Sequence, residues 1–298
     1  MTWKRVATAL VLIPVVVGLV LFTPTWVVAI AAAVVTVLAL WEYFALGEAI
    51  GHRAYRIWTI LCSLVLVTQQ ALATPVFGFL GVQDASRVTS NTVPSVESMP
   101  WIFTVTFPTT LFFLFVLGLT LLTLFTKRAL VETLPAIGIS SGALLVVAFP
   151  LSFAVRLHRF ADNGPRLLLF ALVITWAGDT AAYFVGRAMG KHPLAPHMSP
   201  KKTWEGSVAG MVGSLIVAWA FSYWIRIPIG HLVAMAVIGN VAGQMGDLLE
   251  SAYKRSAGVK DSGGLLPGHG GVLDRIDALI LCIPVIWYYV VLVNPGRT

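Results

Sequence analysis

Residues 23–41 read Thr-Pro-Thr-Trp-Val-Val-Ala-Ile-Ala-Ala-Ala-Val-Val-Thr-Val-Leu-Ala-Leu-Trp, and this stretch decides the fold class. No charge interrupts it, and none occurs between residue 6 and residue 41. A helix of about 20 apolar residues crosses the hydrocarbon of a bilayer, and it does so with its backbone hydrogen bonds satisfied internally. The uncharged run is too long for one crossing and is broken only by Thr23-Pro24-Thr25, so it predicts two spans joined by a tight hairpin. Lys4 and Arg5 ahead of an apolar core have the outline of a secretory leader. No small-x-small cleavage site follows and a second apolar run starts at once, so the first span is expected to be retained.

The same pattern recurs along the chain. Apolar runs bounded by charge, Pro or Gly predict nine spans, near residues 6–23, 26–46, 57–80, 101–125, 134–155, 167–188, 207–225, 229–249 and 276–293. Composition agrees: 58% of the 298 residues are hydrophobic and 11% charged, with a mean hydropathy of +0.86. A soluble domain carries about 45–50% apolar and about 25% charged residues. A soluble enzyme, a disordered chain and a disulfide scaffold are thereby excluded, and the two cysteines, Cys62 and Cys282, read as small core residues. The fold expected is an all-α polytopic membrane protein. Residues 1–80 and 81–165 read as scaffold, the second with room for dimer contacts, and 166–298 as the catalytic region.

Basic residues set the orientation. With the N-terminus cytoplasmic, Lys4, Arg5, Arg53, Arg56, Lys127, Arg128, Arg187, Lys191, Lys201, Lys202, Lys254, Arg255, Lys260 and Arg275 share that side, leaving six of the 20 basic residues opposite. The net charge of +7 then serves topology and contact with anionic headgroups. Nucleic acid is not an expected partner, since no basic helix or aromatic-basic platform lies outside the spans. The segment 81–100 reads as a connector without chemistry.

Acidic residues mark the functional region. Of 13 in the chain, seven lie between residues 179 and 277: Asp179, Glu205, Asp247, Glu250, Asp261, Asp274 and Asp277. Carboxylates at membrane depth are costly and point to a site by default. Glu42, between Trp41 and Tyr43, reads instead as an interfacial residue of an aromatic belt.

Three segments carry the chemistry. In the first, Asp179, Tyr183 and Arg187 recur at i, i+4, i+8 along one helical face, with Asp179 either lining a polar cavity or pairing with Arg187. The second, Ser199-Pro200-Lys201-Lys202-Thr203-Trp204-Glu205-Gly206, is a Pro-kinked loop opening a helix. Its ammonium groups and helix N-terminal amides suit phosphate. The third runs from Gly246-Asp247 through Lys254-Arg255, Lys260-Asp261-Ser262-Gly263-Gly264 and His269-Gly270-Gly271 to Asp274-Arg275-Ile276-Asp277. On a helix Asp247, Ser251 and Lys254 share a face, and Asp274 and Asp277 project together. The Gly-rich loop between them offers amides that approach an anion closely, with His269 as a general acid or phosphate contact. Asp247, Asp274 and Asp277 supply hard oxygens for Mg²⁺, which takes few carboxylates and keeps phosphate oxygens as its other ligands. The composite predicts metal-assisted phosphoryl or nucleotidyl transfer.

At these residues the chain resembles the phosphatidate cytidylyltransferase family, also called CDP-diglyceride synthase. The family signature, Ser-x-x-Lys-Arg, four residues, Lys-Asp, then Pro-x-His-Gly-Gly-x-x-Asp-Arg-x-Asp, is matched in order and spacing from Ser251 to Asp277. The stretch from Asp179-Thr180 to Lys202-Thr203-Trp204-x-Gly206 resembles the family's second block, and Leu12-Ile13-Pro14 and Trp41-Glu42 extend the likeness. The resemblance implies a multi-pass enzyme of a bacterial-type plasma membrane, a homodimer of nine-helix subunits. It implies CTP and phosphatidate, a membrane lipid, as substrates, and CDP-diacylglycerol and pyrophosphate as products. Mg²⁺ is the implied cofactor, with a place for a second mono- or divalent cation. Asp179, Asp247, Lys254, Arg255, Asp261, His269, Asp274 and Asp277 are then expected to be catalytic, and Ser199, Lys201, Lys202, Lys260 and Arg275 to hold phosphate. A CDP-alcohol phosphatidyltransferase would need Asp-Gly-x-x-Ala-Arg, which is lacking. A secondary transporter would show repeated halves with midplane sites, whereas the polar residues here crowd one third of the chain.

Overall fold

The computed structural model describes residues 2–72, 100–160, 163–265 and 270–293, with side chains from residue 10 in the first helix and from residue 107 in the fourth. Among the described residues ten α-helices follow one another: α1 (Thr2–Phe22), α2 (Thr25–Ala49), α3 (Arg56–Leu72), α4 (Pro100–Phe125), α5 (Thr133–Gly142), α6 (Phe149–His158), α7 (Gly164–Met189), α8 (Trp204–Ser222), α9 (Ile229–Ser256) and α10 (Leu273–Val293). The fifth and sixth are halves of one apolar rod, Leu130–His158, joined by a π-helical turn at Ala143–Ala148. Pro150 lies at the start of α6 and brings no amide to the ladder, the ordinary cause of a locally widened turn. Among the described residues, seven rods are long and apolar enough to cross a bilayer, and Leu10–Phe22 and Arg56–Leu72 are shorter apolar helices. Nine rods therefore stand where nine spans are expected, and the chain is a multi-pass α-helical membrane protein. The segment 81–100 lies outside the described residues except for Pro100, which opens α4.

Two features depart from the sequence reading. The stretch after α7 is not an irregular loop but an antiparallel hairpin, β1 (Pro193–Ala195) with β2 (Ser199–Thr203), in which Pro193 faces Thr203 and Ala195 faces Ser199. The second span does not end near residue 46 but continues to Ala49. Glu42 therefore sits about two turns inside the helix end.

Apolar side chains fill two cores. One gathers Phe153, Leu167, Phe170, Ile174, Leu232, Met235, Cys282 and Ile286 around α6, α7, α9 and α10. The other gathers Leu40, Phe44, Leu66, Leu111, Leu144 and Val147 around α2, α3, α4 and the π turn. Helix α10 belongs to both, since Ile283 and Val290 enter the first and Leu273 and Ile280 the second. It is the strut between the halves.

Small residues set the closest crossings. A Cβ built on Gly206, Gly210 or Gly213 of α8 would come within 2.9–3.0 Å of the carbonyls of Ala182, Gly178 and Ala177 on α7. Gly246 of α9 packs so tightly on the carbonyl of Asp277 that a Cβ would overlap it. Without a hydrophobic force between helices in lipid, such backbone contacts are what holds spans together. Here they also place Asp179, Asp247 and Asp277 at one end of three neighbouring helices.

Candidate active site

The carboxylates expected to act together fall into two groups. Asp179 on α7, Asp247 on α9 and Asp277 on α10 form the first. Asp179 lies in the field of Asp247, Lys202 and Arg275, and Asp277 in that of Asp247, Glu250 and Asp179. Lys202, on β2, forms an ion pair with Asp247, and both side chains stay about a quarter exposed, at 26% and 29%. The side chain of Asp179 is exposed and those of Asp247 and Asp277 are half-buried, so the three run inward from the surface, and this inward run is the recess of the site. The alternative pairing with Arg187 is not formed: the Arg187 guanidinium donates to the Tyr183 hydroxyl at 3.0 Å on an exposed face. The recess thus combines three carboxylates, from three helices, with the cations Lys202 and Arg275.

The second group lies under the Gly-rich loop. Asp274 accepts from the Lys254 ammonium at 2.7 Å, from the Gly271 amide at 2.8 Å and from the Ser262 amide at 3.1 Å. Lys254 also pairs with Glu250, one turn earlier on α9, and the three side chains are 12%, 8% and 3% exposed for Lys254, Asp274 and Glu250. The carboxylates beside Lys254 are therefore Glu250 and Asp274, and Asp247 turns instead to Lys202. Among the described residues no three His, Cys, Asp or Glu groups come together closely enough to hold a metal ion unaided. The expected trio of Asp247, Asp274 and Asp277 is divided, with Asp274 filled by hydrogen bonds.

Glu42 joins the second group, from the far end of the chain. It is 4% exposed and accepts from the amides of Val272 and Leu273 at 2.9 and 2.8 Å and from the Ser262 hydroxyl at 3.0 Å. An interfacial belt residue would face water and headgroups; this one is buried under the loop. The amides of Gly271, Val272 and Leu273 are thus taken by protein carboxylates, so of the expected anion-binding loop the Gly271 amide is already occupied. The glycines are needed for another reason: a Cβ on Gly263 or Gly271 would come within 3 Å of the Glu42 carboxylate.

The start of α8 is likewise capped from within. The Thr203 hydroxyl accepts from the Gly206 amide at 3.2 Å, and the His192 carbonyl accepts from the Trp204 amide at 2.9 Å. Glu205 is held by His192, whose ring nitrogen lies 2.6 Å from it. The amides of Trp204 and Gly206 at this end are thus occupied too. Lys201, Lys260 and Asp261 are exposed, and Ser199 is half-buried at the start of β2. Arg255 donates to the carbonyls of Val259 at 3.1 Å and Met198 at 3.4 Å, tying the end of α9 to the hairpin turn. His269 lies outside the described residues.

A family model described as the cytidylyltransferase family matches residues 3–293. The chain is 45% identical over 132 residues to the phosphatidate cytidylyltransferase of Staphylococcus saprophyticus, covering 44% of this chain and 51% of that protein. Over 162 residues it is 36% identical to the Bacillus subtilis protein of the same name, covering 54% and 60%. Over 148 residues it is 41% identical to the Staphylococcus haemolyticus one, covering 49% and 55%. The matched part thus spans only about half the length of these curated relatives.

Proposed function

Because this chain belongs to the cytidylyltransferase family, we propose that it makes CDP-diacylglycerol and pyrophosphate from CTP and phosphatidate. The observation that carries the reading is the recess where Asp179, Asp247 and Asp277 meet Lys202 and Arg275. A site of mixed charge at the end of membrane helices suits a polyphosphate arriving from water and a phosphate headgroup arriving from the leaflet. The names of the relatives supply the nucleotide and the lipid. The basic residues supply the side, since the recess lies at the ends expected to be cytoplasmic.

In the proposed reaction a phosphatidate oxygen attacks the α-phosphorus of CTP, the bond to the bridging oxygen of the β-phosphate breaks, and pyrophosphate departs with the electron pair. Little covalent work is left to the protein, so positioning and charge stabilisation dominate. Lys202 and Arg275, with exposed Lys201 and Lys260 nearby in sequence, neutralise phosphate charge. Lys254, with Asp274 and Glu250, braces the junction of α9 and α10 from inside. A Mg²⁺ ion fits two carboxylates, Asp247 and Asp277, since this cation completes its shell with water and substrate phosphate. When bound it would supply positive charge against the triphosphate. The reading also carries a homodimer in a bacterial-type plasma membrane.

Purified protein in lipid nanodiscs, given labelled CTP, phosphatidate and Mg²⁺, is expected to form CDP-diacylglycerol. Failure to form it, with the protein folded and both substrates present, would overturn the reading.

A further inference from the structure

We propose that Glu42 is a positioning residue of the active site: from the second helix it sets the first turn of α10, and with it Arg275 and Asp277. The inference rests on the proposed reaction for its catalytic consequence, but its geometry stands without it.

The first amides of a helix have no partner within the helix, and a carboxylate at that end is favoured by the helix dipole as well. At α10 two carboxylates divide the work. Asp274 takes the Gly271 amide from within the helix's own first turn. Glu42 takes the next two, of Val272 and Leu273. Its Oε2 also accepts from the Ser262 hydroxyl, while the Ser262 amide donates to Asp274. Ser262 therefore ties the two carboxylates together, and the contacts of Glu42 are buried: Ser262 is 5% exposed, Leu273 1% and Val272 7%.

The direction of the effect follows from the spacing. Leu273 and Asp277 are i, i+4 and share a face of α10, so an amide fixed at Leu273 fixes the rotation at which Asp277 meets the recess. Asp274 cannot set this alone, because it moves with the helix it caps. Glu42 belongs to α2, a different helix, which Leu40 and Phe44 anchor in the core that Leu273 of α10 also enters. It supplies the external reference. Buried carboxylates are costly unless each lone pair is used, and here three donors from two loop segments converge on one side chain. A belt residue would need none of them.

The test uses the full-length protein in nanodiscs, as wild type, Glu42→Gln and Ser262→Ala. Glutamine keeps the shape but presents an NH₂ group to one of the two α10 amides. Hydrogen exchange without substrate is expected to speed up at residues 270–275 in Glu42→Gln, with α7 and α8 unchanged. Turnover per folded molecule is expected to fall about 10–100-fold, the scale of a misplacement near 1 Å. Ser262→Ala should move both readouts the same way and less far. Unchanged exchange at 270–275 would overturn the clamp, and faster exchange there with normal kcat would overturn its catalytic role. Should Glu42→Gln fail to fold, Ser262→Ala decides on the same two criteria. A wild type that exchanges as expected but makes no CDP-diacylglycerol would instead count against the reaction assignment. In that case the loss of CTP-induced thermal stabilisation in Glu42→Gln replaces kcat as the readout, and full retention of it would overturn the positioning role.

Discussion

Helix α10 carries carboxylates in two environments less than a turn apart. Asp274 is met by an ammonium and backbone amides, and Glu42 beside it by two amides and a hydroxyl. Asp277 lies instead in the field of Asp247, Glu250 and Asp179, with Lys202 and Arg275 as the cations near Asp179 and Asp247. In the first environment the oxygens of Asp274 and Glu42 are met by donors of the protein itself. The second gathers like charges, an arrangement that costs energy and that, in the proposed reaction, a cation and its phosphate ligands would relieve. The same functional group therefore serves as a structural brace in one place and, in the proposed reaction, as a ligand site in the other. What tells them apart is the donor set around each oxygen rather than the residue type.

Substitutions sharpen this contrast. The greatest loss of turnover is expected for Asp277→Asn, about 10²–10³-fold, on the scale of removing one preorganised electrostatic group. Melting temperature should hold or rise, since a like-charge contact is relieved; a large drop in melting temperature would move Asp277 into the structural set. Asp274→Asn should do the reverse first. It leaves Lys254 with one buried partner in place of two, and a loss of about 3 kcal/mol is expected from breaking a buried pair, read as a lower melting temperature in detergent. Turnover that falls with no loss of stability would place Asp274 in the recess instead.

Asp179→Asn comes next, with turnover lowered about tenfold to a hundredfold and stability little altered, because its side chain is accessible. A marked destabilisation with activity per folded molecule intact would make it a brace. The smallest effect on stability is expected for Lys202→Ala. Its pair with Asp247 is partly exposed, and such pairs contribute about 1 kcal/mol or less. Its cost should show as a KM for CTP raised about tenfold, the value of a charged hydrogen bond; an unchanged KM would leave Lys202 as a counterion only.

The nine rods were readable because bilayer thickness imposes one length on every apolar run, and residues 6–41 show it without ambiguity. Asp179 and Asp247 stood out in the sequence because carboxylates inside spans are rare for a physical reason, but the expected trio grouped Asp247 and Asp277 with Asp274 and left Asp179 apart. The division of labour was not. Hydrogen bonds from Val272 and Leu273 to Glu42 cross some 230 residues and leave no local spacing to detect. The signal available was depth: had the second span been extended to Ala49, Glu42 would have stood well inside a helix, where a carboxylate demands a partner. The loop glycines misled for a related reason. Gly263 and Gly271 permit close approach of an anion, but that anion is the protein's own Glu42. The hairpin at Pro193–Thr203 was hidden because its strands are too short to show a period.

Thermal unfolding with and without CTP and Mg²⁺ separates the two carboxylate environments most directly. A ligand that binds only the folded state raises stability in proportion to RT ln(1 + [L]/Kd). Wild type is expected to gain melting temperature on addition of both, Asp277→Asn to keep its baseline and lose the gain, and Asp274→Asn to start lower yet retain most of it. A full ligand-induced gain in Asp277→Asn, or its loss in Asp274→Asn at an unchanged baseline, would contradict the division.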